Sequence, residues 1–299
     1  MTQESLSPRA WTELGLLGLI WGASFLSIRI ALDEIGPVWS VAHRVFWASL
    51  VLWVFVFSAR LPAPRDPRIW ASFLVMGLLN NIIPFSLMAW GQLHIETGLT
   101  SILNAATAIF GVLAAALFFA NERLTLSRFA GVTLGFLGVS TAIGLQSFLS
   151  FDVTSLAQLA VIGGTVSYAL ASIWAKVRLR GLPPQVAAAG MVTSAALVAV
   201  PLAYLTEGPP DLALAPDTVA AIGYYSVIAT AGAYLLYYRV LDMAGSGNLM
   251  LVTLLVAPVA IVLGALVRDE ALGVNAYIGF ALLAVGLLIL SRGSRAKAP

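Results

Sequence analysis

Ten apolar stretches, each near the roughly 20 residues a helix needs to cross a bilayer core, recur along the chain with charged or Pro-rich segments between them. They fall at about 11–30, 37–58, 69–92, 96–119, 127–145, 154–175, 184–205, 217–240, 246–267 and 273–291. Asp33-Glu34, the Arg60 to Arg68 segment, Asn121-Glu122-Arg123, Lys176 to Arg180, Glu207 to Asp211 and Arg268-Asp269-Glu270 are among the separators. With 60% hydrophobic and 10% charged residues, the chain cannot coat a soluble fold with polar surface. The fold class that follows is an all-α integral membrane protein with ten transmembrane helices. The first stretch is long enough to span and is expected to be a retained helix, not a cleaved signal.

Charge placement tests the count. If the N-terminus is cytoplasmic and ten spans alternate, thirteen of the 16 lysines and arginines lie inside, leaving only Arg29, Arg44 and Arg268 toward the outer side. Asp33, Glu34, Glu96, Asp152, Glu207, Asp211, Asp217, Asp269 and Glu270 lean outward. This is the positive-inside pattern. It predicts a multi-pass protein of the bacterial inner membrane with both termini cytoplasmic. A net charge of +2 gives no reason to expect nucleic acid, and the absence of cysteine excludes disulfides, thiolate metal sites and cysteine nucleophiles. No cofactor and no metal are expected.

An internal repeat emerges on shifting the chain by 148 residues. Glu122 falls on Glu270, Leu124 on Leu272, Gly131 on Gly279, Gly138 on Gly286, Leu93 on Leu241 and Trp90 on Tyr238. The shift lays spans four and five on spans nine and ten. Each half therefore has five spans, residues 11–145 and 154–291. Five is odd, so the second half is inverted, and inverted repeats mark transporters whose binding site lies between the halves near the midplane.

These residues also resemble a known family. The first span reads Gly18-Leu-Ile-Trp21-Gly22-Ala-Ser-Phe25, the second carries His43-Arg44-Val-Phe-Trp-Ala, and the fourth–fifth turn contains Asn121-Glu122-Arg-Leu-Thr. All three are similar to motifs of the drug/metabolite transporter superfamily in its EamA-type branch, over about residues 11–291. The second half departs in span seven, which has no arginine equivalent to Arg44. The resemblance implies an exporter of small metabolites working by alternating access. It is most like the branch that exports aromatic and other amino acids and also passes organic cations. A small-molecule substrate, the bilayer and a monomeric or weakly dimeric state are the implied partners.

Polar groups inside spans are costly, so they are the candidates for work. Asn80 and Asn81 sit mid-span beside Pro84, which should kink the helix; they either bind substrate or bridge helices. Asn104 lies deep in span four and is read as cavity-lining, whereas Asn248 is read as a helix cap. Trp21, Trp90, Tyr168, Trp174, Tyr234, Tyr237 and Tyr238 lie on spans one, three, six and eight, which the family arrangement places around a central cavity. Their alternative is the interfacial aromatic belt, preferred for Trp11, Trp39 and Trp70. Gly18/Gly22 and Gly131/Gly135 are small-xxx-small pairs expected to pack helices within one protomer. Gly245-Ser-Gly247 reads as a connecting turn. Arg44 is read as a structural arginine bridging to Asp33 or Glu34, with His43 and Arg44 the residual candidates for proton coupling.

No Asp or Glu falls mid-span, which favours facilitated diffusion over a proton-coupled antiporter, the alternative kept open. A membrane-embedded enzyme would need a motif such as His-Glu-x-x-His, Gly-x-Ser-x-Gly or Walker A, and none is present. A channel would need charge rings or a filter loop.

Overall fold

The computed structural model describes residues 8–119, 125–144, 152–249 and 252–295, and every regular element among them is helical. In chain order these are α1 (Pro8–Ala31), α2 (Pro37–Ser58), α3 (Pro67–Gly77), α4 (Ile83–Gly91), α5 (Thr97–Asn104), α6 (Thr107–Phe118), α7 (Leu126–Ile143), α8 (Val153–Arg178), α9 (Pro184–Glu207), α10 (Pro216–Gly223), α11 (Ala233–Leu249), α12 (Val252–Arg268) and α13 (Val274–Arg295). A π-helical segment, Leu78–Ile82, welds α3 to α4, and a longer one, Tyr224–Gly232, welds α10 to α11.

Length and hydropathy mark seven rods as candidate spans: Pro8–Ala31, Pro37–Ser58, Pro67–Gly91, Thr97–Phe118, Val153–Arg178, Pro184–Glu207 and Pro216–Val240. Three shorter apolar helices, Phe129–Ile143, Leu255–Arg268 and Val274–Ile289, accompany them. Large apolar side chains such as Val54, Phe57, Leu117, Leu197 and Leu266 stand exposed, as lipid-facing side chains do and as a water-soluble surface rarely tolerates.

Local chemistry starts the helices. Pro37, Pro67, Pro184 and Pro216 open theirs, where a missing N–H costs nothing. Asp66 and Asp152 cap α3 and α8, accepting from the amides of Arg68 and Ser155 at 2.8 and 2.9 Å. α2 is capped from another element: Glu207, at the end of α9, accepts from the amides of Val38 and Trp39 at 3.0 and 2.9 Å. Trp39 is buried there and donates its indole N–H to Gly208 at 3.1 Å. It is therefore a tie between helices and not a member of the lipid-facing belt, because its ring is enclosed by the cap it completes. Trp70 also turns inward, stacking on Trp53 and donating to Pro64, while Trp11 is exposed as expected.

The anticipated turn at Gly245-Ser-Gly247 is absent, since α11 runs through it to Leu249. Each glycine there costs about 1 kcal/mol of helix propensity, but inside a membrane an opened backbone would leave its polar groups without water. Glu122 and the side chain of Asn248 lie outside the described residues.

Close helix pairing is set by small residues. α2 packs on α9, α7 on α13, and α1 on α12 and on the α10–α11 rod; α8 packs on α4 and on α5 and α6. A Cβ on Gly138 would lie 2.7 Å from the Gly279 carbonyl oxygen and 2.5 Å from the Leu283 amide, and one on Gly286 would lie 2.8 Å from the Gly131 oxygen. The four glycines singled out by the repeat thus meet in pairs across α7 and α13. Gly18 and Gly22 face Leu255 and Val259 of α12, so this pair packs within the protomer as expected.

Candidate functional site

Asn80 lies in the short π-segment, and Tyr234 follows the long one. The Asn80 amide donates to the Tyr234 hydroxyl at 3.1 Å, and that hydroxyl donates to Asn81 Oδ1 at 3.3 Å. The Asn81 side chain is fully buried, and its Nδ2 has no partner. At 1.5 Å per residue, Asn80 and Tyr168 sit about 20 Å along rods of 25 and 26 residues, near their middles. The helix break that sequence reasoning assigned to Pro84 is thus this π-segment, with Pro84 in the first turn of the helix that follows.

A π-segment widens the helix and misdirects carbonyls. In a membrane these need side-chain donors, and here they have them. Ser167 donates to the Leu79 oxygen at 2.7 Å, Trp21 Nε1 to Ala229 at 3.2 Å and Thr230 to Tyr225 at 2.7 Å. Tyr224 reaches back to the Ile20 oxygen at 3.1 Å. The distorted segments are therefore stitched to α1 and α8 as well as to themselves.

Arg44 departs from the sequence expectation. Asp33 is taken by Arg29 at 2.7 Å and by Arg268 at 2.5 Å, and Glu34 accepts from the Ala215 amide at 3.0 Å. Arg44 turns instead into the bundle. Its Nε donates to Thr230 at 2.8 Å and its guanidinium lies 3.9 Å from the centre of the Phe85 ring. Eight residues in from the start of α2, the side chain had a choice of the membrane surface or the interior, and the bond to Thr230 settles it inward.

The other candidates divide. Trp21, Tyr237 and Tyr238 form an aromatic run, with ring centres 5.9 Å apart for the first pair and 5.3 Å for the second. Tyr168 meets Phe85 edge-on at 6.4 Å. Two others make their contacts elsewhere: Trp90 against His94 at 5.0 Å, and Trp174 between Ser72, which accepts its indole N–H at 3.0 Å, and the Arg178 guanidinium. Asn104 ends α5 at the break before α6, its buried Oδ1 without a partner. Sequence reasoning did not single out Thr230, Tyr225 and Phe85; the run of small residues from Ala229 to Gly232 was the available signal.

Each end of the bundle carries a charged cluster. Where α1 begins, buried Glu13 pairs with Arg9 at 3.0 Å and with Arg239 of α11 at 2.5 Å. Where α1 ends, Asp33 joins α1 to Arg268 of α12. Partial burial would raise the Asp33 carboxyl, but its bonds to Arg268 and Arg29 outweigh that and hold it below its ordinary value.

The model of the EamA-like transporter family matches residues 14–143 and again residues 155–292. An uncharacterized transporter, YoaV, of Bacillus subtilis is 20% identical over 92% of this chain and 95% of its own. The probable terminal-alkyne amino-acid exporter of Streptantibioticus cattleyicolor is 26% identical over 96% of this chain and 94% of its own. The probable amino-acid metabolite efflux pump of Escherichia coli is 22% identical over 94% of each. A solved crystal structure, 17% identical, superposes with a TM-score of 0.68 over 97% of this chain and 99% of that one, which establishes a shared fold.

Proposed function

Because the chain belongs to the EamA-like transporter family, we propose that it is a facilitative exporter of amino acids and related small metabolites, working by alternating access around the Asn80–Asn81–Tyr234 centre. The observation that carries this reading is chemical. Mid-bundle amides and hydroxyls face one another beside aromatic rings, and among the described residues no Asp or Glu joins them. A proton-driven antiporter ordinarily keeps a carboxylate in that position. The names of the Streptantibioticus and Escherichia relatives support amino-acid export.

On this reading the chain crosses the bacterial inner membrane ten times, as inverted repeats of five helices over residues 11–145 and 154–291, with both termini cytoplasmic. Three features support it: the family model matches twice, each third helix of a half carries a π-segment, and the most extensive helix pairings exchange when the halves are swapped. The bias of Lys and Arg toward one side supports the orientation. Trp21, Asn80, Asn81, Tyr168, Tyr234, Tyr237 and Tyr238 then line the path. Trp90, Asn104 and Trp174 flank it.

The test is counterflow in proteoliposomes with radiolabelled amino acids. Saturable exchange without an imposed pH gradient is expected. Flux that appears only with a pH gradient would replace facilitated export by proton coupling.

A further inference from the structure

Among the described residues, no acid neutralises the charge of Arg44. An arginine inside a membrane is expensive unless paired, and among the described residues no acid is bonded to Arg44: Asp33 and Glu34 are held at the end where α1 stops, Glu13 by Arg9 and Arg239, Glu207 at the start of α2, and Glu270 by Thr97 at 2.7 Å. Thr230 and the Phe85 face compensate only in part. They also leave a definite remainder. Nε is used, by Thr230, while no acceptor is found for the terminal Nη pair, which is the half of the fork that matches a carboxylate bidentately.

The arginine is held ready for such a partner. Thr230 donates its own proton to the Tyr225 carbonyl, so its lone pair is aimed at Arg44. Phe85 lies under the guanidinium plane. Arg44 is neither fully buried nor exposed, so part of its side chain is left uncovered by the helices. A second observation points the same way. The Nδ2 of Asn81 is a fully buried donor without an acceptor, and Asn81 stands four residues, about one helical turn, before Phe85, the ring on which Arg44 lies. An unpartnered amide donor and a cation with its Nη pair unused call for an anionic acceptor.

Resting on the exporter reading above, we propose that Arg44 is the receptor for the substrate's carboxylate, and that the solute is a small monocarboxylic acid, amino acids included, with an apolar or aromatic body. A single cation suits a single negative charge; no other Lys or Arg among the described residues bonds within this cluster, which disfavours phosphate dianions. The aromatic run of Trp21, Tyr237 and Tyr238 supplies an apolar wall for the rest of the solute. Organic cations, which the sequence resemblance suggested, are repelled by the same charge.

The experiment compares acids with their amides. The full-length protein in proteoliposomes is challenged with L-phenylalanine, L-phenylalaninamide, L-leucine, L-leucinamide and methyl viologen as competitors of counterflow, and the purified protein is tested with the same probes for ligand-induced thermal stabilisation. The wild type is expected to favour each acid over its amide by about 10- to 100-fold, the worth of a charge-assisted hydrogen bond, and to ignore methyl viologen. In Arg44→Gln the acid–amide gap should collapse toward unity, with Arg44→Lys in between. Amides or methyl viologen competing as well as acids in the wild type would overturn the carboxylate receptor while leaving the exporter standing. This comparison needs no variant to fold. Failure of every acid, amide and cation would sink the exporter reading and this proposal together.

Discussion

Tyr234 places one hydroxyl between two amides, accepting from Asn80 and donating to Asn81. Removing it in Tyr234→Phe leaves Asn81 Oδ1 without its donor. Interhelical hydrogen bonds in membranes average about 0.6 kcal/mol, and an orphaned buried group costs about 1–3 kcal/mol. A loss near 1 kcal/mol is therefore expected, read as a lowered unfolding temperature in detergent, together with a larger loss of counterflow because Asn80 is left with only its contact to the Met191 sulfur at 3.5 Å. Full counterflow in this variant would remove Tyr234 from the site. Asn80 and Asn81 were legible in the sequence because an amide in hydrocarbon needs a reason to be there. Arg44 was legible as a residue but not in its direction. Its distance from the start of α2 allows it to reach the surface acids as well as the interior, and only the fold places Arg268 on Asp33 and Thr230 beside Arg44.

At the scale of elements, the π-segments and the glycine crossings decide where helices go. Pro84 announced a break in the third rod. The longer π-segment at Tyr224–Gly232 contains no proline, and what sustains it is Trp21, Thr230 and Tyr224 bonding across or along it, contacts more than 200 residues apart in part and invisible to local pattern. The glycine crossing was partly legible, since Gly131, Gly138, Gly279 and Gly286 stood out by repetition. That they would face each other was not, because helices in lipid have no hydrophobic drive to choose partners and pair by shape. Gly138→Ala puts a methyl against the backbone of α13 at Gly279 and Leu283, which has no side chain to swing aside. It should destabilise by about 1–3 kcal/mol. Gly15→Ala is the control: nothing lies within 4 Å of its added Cβ, and a gain of up to about 1 kcal/mol in helix propensity is expected. Equal thermal stability of the two variants would refute the crossing.

Across the whole molecule, α1 is the element that both ends hold. Glu13 ties its beginning to Arg239 on the α10–α11 rod, and Asp33 ties its end to Arg268 on α12. The polar centre lies between these ties, flanked by both π-distorted rods. A carrier exposes its centre to one side at a time, so the two ion pairs are placed to open alternately. Partly exposed pairs are worth little individually, which suits contacts that break in every cycle. The chain contains no cysteine, so Asn80→Cys provides a single reporter at the centre. In oriented vesicles, an impermeant thiol reagent should label that cysteine faster from the side of the α1 C-terminus when Arg268→Gln is added. Adding Arg239→Gln instead should speed labelling from the opposite side. The two pairs are similarly exposed, Arg239 and Glu13 at 58% and 11% and Arg268 and Asp33 at 30% and 42%, so the two variants should shift labelling by comparable amounts in opposite directions. Acceleration from the same side by both variants, or by neither, would show that these pairs do not govern access to the centre.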